Sequence, residues 1–240
     1  MREILRIAAN EVSSSLRALF DADQPLAIRC FAVLDGSICG QIWTDDLAHP
    51  TWGAVQEAAF NTCFLGGRPD ARQVHELIEE LRQDSEVALA LWPDHPYNQL
   101  LPPTPDFDGW EMGFTNRQRE VDPLPDLGVP AGCALQPIDA KWFERCRYRD
   151  YYAAYFGSAE RTLENGFVFC LVRGQELLAE AFAADAALGM IEIGTITGEP
   201  YRRRGYAEIC CAQLIRECEA RGHRTYWNCT KENQACLLYT

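Results

Sequence analysis

Three consecutive arginines, Arg202, Arg203 and Arg204, stand directly before Gly205 in the run Gly198-Glu-Pro-Tyr-Arg-Arg-Arg-Gly-Tyr-Ala207. Behind them Ala207, Cys210, Cys211, Leu214, Ile215 and Cys218 recur at helical spacing until Gly222 ends the pattern. Ahead of them Met190 to Thr197 has the composition of a strand. A strand that feeds a basic, glycine-containing loop into a helix start can hold an anion. The first helical N–H groups lack partners, and glycine lets the backbone come close. The chemistry on offer is phosphate or pyrophosphate binding, with a solvated basic turn as the plain alternative.

Glu192 is the carboxylate of the strand before that loop. By the two-residue period of a strand it shares a face with Gly194 and Ile196, so it is a candidate general base with a pKa raised by apolar neighbours. An ion-paired or solvent-facing strand glutamate is the alternative. The four histidines are scattered, and the eleven cysteines form no C-x-x-C pair and sit mostly in apolar runs. No metal is expected, and buried thiols of a cytoplasmic protein are expected rather than disulfides.

The elements that must position these residues read as α/β. In the second half, Cys133 to Leu135 is a short strand, Asp139 caps a helix through Tyr151, and Ser158 to Glu164 is helical. Phe167 to Arg173, Leu177 to Ala184 and Met190 to Thr197 then form an antiparallel meander. After the loop and its helix, Thr225 to Cys229 is a strand and Thr230 starts a last helix. In the first half we expect a helix over residues 1 to 20, a hairpin of Ala27 to Leu34 with Ser37 to Trp43 about Asp35-Gly36, and helices over Gln56 to Leu65 and Ala71 to Arg82. Val87 to Trp92 and Trp110 to Thr115 are strand-like and flank a proline-rich loop.

The net charge of −13 is unevenly spread. Residues 1–130 carry nine Lys and Arg against 21 Asp and Glu, whereas residues 131–240 carry 13 against 14. So acidic a first half repels phosphate backbones, which argues against nucleic acid as its partner; it can attract a cationic small molecule, with a solubilising surface as the plain alternative. No apolar run reaches the length of a membrane span. The stretch Val121 to Ala131, with three prolines, marks a boundary between a 1–130 unit and a 131–240 unit.

The loop and its setting resemble motif A of the GNAT superfamily of acyl-CoA-dependent N-acetyltransferases. That pattern is Gln or Arg, two residues, Gly, one residue, then Gly or Ala, here Arg202, Gly205 and Ala207. Three stretches are similar to the zwittermicin-resistance type of the family: Thr51-Trp52 through Gly67, Glu192 through Ala207, and Trp227 through Asn233. The resemblance implies a GNAT fold with a mixed, mostly antiparallel sheet in 131–240, preceded by a smaller mixed α/β domain like a degenerate GNAT domain. It implies transfer of an acetyl group from acetyl-CoA to a primary amine of a small molecule.

By that likeness Arg203, Arg204, Gly205, Tyr206 and Ala207 offer backbone amides to the CoA pyrophosphate, and Arg202 assists with its side chain. The main chain of Ile196 and Thr197 would pair with the pantetheine arm, and Asn233 would lie beside the cofactor or simply bond the helix start. Tyr239 stands where family members carry the acid that protonates the thiolate, though one residue off the usual spacing. Glu192 stands near the family's catalytic glutamate. A complete GNAT fold continues past this helix by two strands, so either those strands are missing or another segment covers the edge of Thr225 to Cys229. A non-catalytic acyl-CoA-binding module needs the arginine loop but neither Glu192 nor Tyr239.

Overall fold

A computed structural model describes residues 4–24, 26–81, 87–91, 111–115, 124–230 and 233, with 111–115 and 230 described by their backbone alone. Two sheets carry the fold. The first has the order β1 (Leu5–Ile7), β2 (Gly40–Thr44), β3 (Trp52–Glu57), β4 (Thr62–Gly67) and β5 (Ala88–Ala90). The second runs β6 (Glu111–Thr115), β11 (Arg224–Thr230), β10 (Met190–Thr197), β9 (Glu176–Ala187), β8 (Phe167–Arg173) and β7 (Ala134–Pro137).

One plan is used twice. In each sheet four strands pair antiparallel in chain order, a helix crosses over, and a fifth strand returns parallel to the fourth. The crossover helices are α3 (Ala71–Leu81) and α7 (Tyr206–Ala220). Each repeat also places helices between its first two strands: α1 (Ser14–Arg17) and α2 (Ala27–Leu34) in the first, α4 (Ala140–Phe143), α5 (Arg149–Phe156) and α6 (Ala159–Asn165) in the second. Ser13, Asp139 and Ser158 cap their helices through side-chain oxygens.

The second half matches its sequence pattern in the meander and the strand, loop, helix, strand order, but the helix expected from Asp139 through Tyr151 is broken into α4 and α5 by the residues 144–148, and the last helix expected from Thr230 lies outside the described residues, Thr230 itself ending β11. The first half corrects three expectations. Residues 5–7 form an edge strand on β2, not part of a long helix, and Ser13 caps only a four-residue turn of helix. Ala27–Leu34 is a helix buried on every side, and Asp35-Gly36 closes its C-terminus, with Gly36 at φ +71. Residues 56–65 are not helical but the hairpin of β3 and β4, whose turn is held by Glu57 accepting from the Ala59, Phe60 and Thr62 amides.

The free edge expected on β11 is covered. Strand β6, which precedes the Val121 to Ala131 boundary in sequence, pairs antiparallel with β11 from Tyr226↔Thr115 to Thr230↔Glu111. The halves also share a hydrophobic cluster in which Leu16, Phe31, Val33 and Phe64 meet Tyr155, Phe156, Ala184 and Ala187. Helix α2 thus lies against β9 and β10 of the second sheet, while α7 covers the opposite face through Ile191, Ile193, Leu178 and Leu214.

Candidate active site

Between β10 and α7 the chain makes a 3₁₀ turn at Glu199–Tyr201 and reaches the helix through two left-handed residues, Arg203 at φ +60 and Gly205 at φ +75. Gly205 is the N-cap and has no side chain to satisfy the first turn of α7, whose earliest internal bond is Ile209 N–H to the Gly205 carbonyl, 3.2 Å. The amides of Tyr206, Ala207 and Glu208 therefore face outward at the positive end of a 15-residue helix. Arg202, Arg203 and Arg204 are exposed around them, and Arg202 Nε donates to the Thr197 carbonyl at 3.4 Å.

The strand edge leading to this loop is open. Parallel pairing of β10 with β11 runs only from Met190↔Arg224 to Glu192↔Tyr226, although β10 continues to Thr197 and β11 to Thr230. Beyond Glu192 the strands diverge, and β11 keeps its bonds to β6 instead. The β11-facing edge of Ile193 to Thr197 has no strand partner among the described residues, and apart from the Thr197 carbonyl that Arg202 engages, its backbone groups can pair with an extended ligand laid between the strands.

Glu192 sits at the vertex of this V, 8% exposed. Its neighbours are charged and polar, where apolar ones were expected. Arg29 of α2 holds it in a fork, Nε to Oε2 at 3.0 Å and Nη2 to Oε1 at 2.7 Å, and Asn228 of β11 donates to Oε1 at 2.6 Å. Burial works against the charge on Arg29, and the carboxylate of Glu192 outweighs it, so the guanidinium is held firmly protonated. Beside the pair lies Asp185, fully buried in the bulge where β9 slips register against β10, at φ +50 and with no hydrogen bond to either oxygen. Burial first, then the nearby Glu192 and Glu57 carboxylates, push its pKa well up, against the pull of Arg29.

Aromatic rings line the approach. The guanidinium of Arg29 lies 4.6 Å over the Phe60 ring, Phe60 stacks on Tyr151 at 5.2 Å, and Tyr148 meets both Tyr151 and Phe182 edge-on. Phe60 and Tyr151 are 44% and 40% exposed. The ring of Phe182 fills the space where a Cβ on Gly194 would stand. A cavity of about 270 Å³ lies behind the bulge, walled by Phe156, Phe167 and Ile191, at the end of β10 away from the loop.

The structure brings together Glu192, Ile196, Thr197 and the Arg202 to Ala207 loop along one strand, loop and helix. Tyr206 is buried against the α7 core, so its share in the site is its amide. Asn233 is exposed past the end of β11. Tyr239 lies outside the described residues. Sequence reading missed Arg29, Asp185 and Asn228, yet two of them carried a signal: a single charge inside the apolar run Ala27 to Leu34, and a single acid inside Ala181 to Ala187. Buried charges of that kind need partners or functions.

A strand edge left open beside an uncapped helix start suits an extended ligand that carries an anion. The chain belongs to the GNAT acetyltransferase family, whose model matches residues 18–239. It is 23% identical over 243 residues to the uncharacterized N-acetyltransferase YdfB of Bacillus subtilis strain 168, covering 98% of this chain and 92% of that one. A GCN5-related N-acetyltransferase-like protein from Streptococcus suis 89/1591 has the same fold at a TM-score of 0.58 and 22% identity, over 90% of this chain and 87% of that one. A tandem GNAT protein from the clavulanic acid biosynthesis pathway aligns at a TM-score of 0.61 and 11% identity, over 99% and 92%. The chain is thus an acyltransferase of the N-acetyltransferase kind, built as an α/β protein on two GNAT-like sheets.

Proposed function

We propose that the chain transfers an acetyl group from acetyl-CoA to the primary amine of a small molecule in the cytoplasm. The observation that carries the reading is the uncapped start of α7 beside the open edge of β10, which together suit a pyrophosphate and an extended amide arm. The residues fit the cofactor. The amides from Arg203 to Ala207 would hold the pyrophosphate, Arg202 and Arg204 would add charge, and Ile196 and Thr197 would pair with pantetheine, with Asn233 alongside. Bound there, acetyl-CoA supplies an activated carbonyl. Kinship with the zwittermicin-resistance type rests on the three sequence stretches alone. The 1–130 and 131–240 units belong to the same reading, with β6 as the piece of the first that completes the sheet of the second.

An amine must lose its proton to attack a thioester. Glu192 takes that proton through a water, held in one orientation by Arg29 and Asn228. Tyr239 is the proposed acid for the departing thiolate. The acceptor enters past Phe60, Tyr148 and Tyr151, and the surplus of carboxylates in the first half draws it as a cation. Replacing Glu192 with Gln is expected to lower kcat/KM about 100-fold, with acetyl-CoA affinity retained. Acetyl-CoA binding with no thiol release across an amine panel would instead favour an acyl-CoA-binding module. The engagement of both Glu192 oxygens by Arg29 speaks for that alternative.

A further inference from the structure

The connection between α4 and α5 brings a fourth arginine to the loop. Its tip, Cys146-Arg147-Tyr148, is pinned from beneath by Glu180 of β9, a wholly buried carboxylate whose register partner on β10 is Ile196. Glu180 accepts from the Arg147 amide at 3.1 and 3.2 Å, from the Tyr148 amide at 3.1 Å and from the Tyr152 hydroxyl at 3.0 Å. Among the described residues it has no cationic partner, so two backbone amides and a phenol balance its charge. Burial, and after it this charge, raise the pKa of the Tyr152 hydroxyl, which stays a donor. The backbone at Arg147 is thereby fixed against the strand that leads to the phosphate loop.

The side chain of Arg147 then points along the surface to Gly198, the first residue after β10. Gly198 has φ −54 and ψ 136, a conformation open to any residue, so its backbone does not call for glycine. What a side chain there would meet first is the Arg147 guanidinium, which lies where a Cβ would stand, with the Tyr201 ring close behind. No carboxylate among the described residues pairs with Arg147, in contrast to Arg173 and Arg221, which each hold a glutamate. An exposed guanidinium is thus seated on a glycine, between the open edge of β10 and the uncapped start of α7, with its donors unspent.

We propose that Arg147 binds a phosphate of the acyl-CoA, as a clamp set by Glu180 opposite the amides of α7, with Gly198 providing its seat. The inference rests on the acyl-CoA reading above. It adds a residue from outside the strand, loop and helix to the phosphate site.

Calorimetric titration of the full chain with CoA, dephospho-CoA and acetyl-pantetheine tests it. Arg147→Ala is expected to weaken CoA roughly tenfold, the usual worth of a charge-assisted bond, and to leave acetyl-pantetheine, which has no phosphate, unchanged. Arg147→Lys should recover part of the loss. Gly198→Ala keeps the charge but evicts the guanidinium from its seat, and should weaken CoA as well. An equal loss for CoA and dephospho-CoA assigns the contact to the pyrophosphate, and a loss for CoA alone assigns it to the 3′-phosphate; either supports the proposal. CoA binding by Arg147→Ala as tight as by the parent, or an equal loss for acetyl-pantetheine, overturns it. A parent chain that binds no CoA overturns the acyl-CoA reading itself, and the clamp with it.

Discussion

The two repeats end their fourth strands in opposite ways. In the second, β10 runs on past the end of its pairing with β11 at Glu192, and an eight-residue loop leads to a helix whose cap is a glycine. In the first, β4 likewise runs past its pairing with β5, which stops at Phe64↔Ala90, but the chain itself fills the gap. The Gly67 amide donates to the Leu19 carbonyl at 3.0 Å, and a Cβ on Gly66 would strike that carbonyl and the Phe20 ring. Only Arg68, Pro69 and Asp70 connect β4 to α3. There the helix start is satisfied internally: the Gln73 amide donates to Asp70 Oδ1 at 2.9 Å, and the Gln73 side chain accepts from the Asp70 amide at 2.8 Å. The same backbone plan thus yields one helix start left open and one closed by a carboxylate of its own. A repeated fold carries no site until the loop and cap leave one.

The closed repeat still serves the open one, because Arg29 on α2 reaches across to Glu192. Removing it is the severest test of that dependence. Arg29→Ala leaves a buried carboxylate without its partner and is expected to cost about 3–5 kcal/mol, read from urea unfolding. The shared core also predicts that both halves unfold in one transition. Two separate transitions, with Arg29→Ala affecting neither, would make the repeats independent.

A smaller effect sharpens the contrast between the loops. Asp70→Ala removes the cap of α3 and should cost about 1 kcal/mol, yet it should create no CoA affinity, since Leu19 and Phe20 still fill that cleft. A second CoA site in Asp70→Ala would show that the carboxylate alone had closed it.

A pH-dependent effect concerns Asp185. Its folded pKa is raised above the unfolded value of about 3.9, so the folded state binds the extra proton. Stability is then full at low pH and declines as pH rises from about 4 toward the folded pKa. Asp185→Asn removes that decline, so its Tm advantage over the parent should grow from pH 5 to pH 8. An advantage that is constant or shrinks with pH would mean that the carboxyl is not held protonated.

How much of this was legible followed from how local each signal is. The meander and the loop before α7 announce themselves by strand and helix periods joined by short turns, so the second half and most of its site could be read directly. Ala27 to Leu34 could not, because a continuous apolar run has no period to separate a helix from a strand, and Asp-Gly serves a helix end as well as a hairpin. Residues 56 to 65 misled for a different reason: Glu57 and Asn61 look like the polar face of a helix but instead bind the turn of a hairpin. The pairing of β6 with β11 and the reach of Arg29 to Glu192 join residues more than a hundred positions apart, and nothing local encodes them.

The central claim is that the open helix start of the second repeat, and not the closed one of the first, takes the CoA pyrophosphate. Titration of the parent and of Gly205→Val with CoA tests it directly. Gly205 sits at φ +75, where a β-branched residue is strained by about 1–2 kcal/mol and its side chain would obstruct the amides of α7. One CoA per chain in the parent, and at least a tenfold loss in a folded Gly205→Val, is the result expected. Two sites per chain, or CoA bound as tightly by Gly205→Val as by the parent, would contradict it.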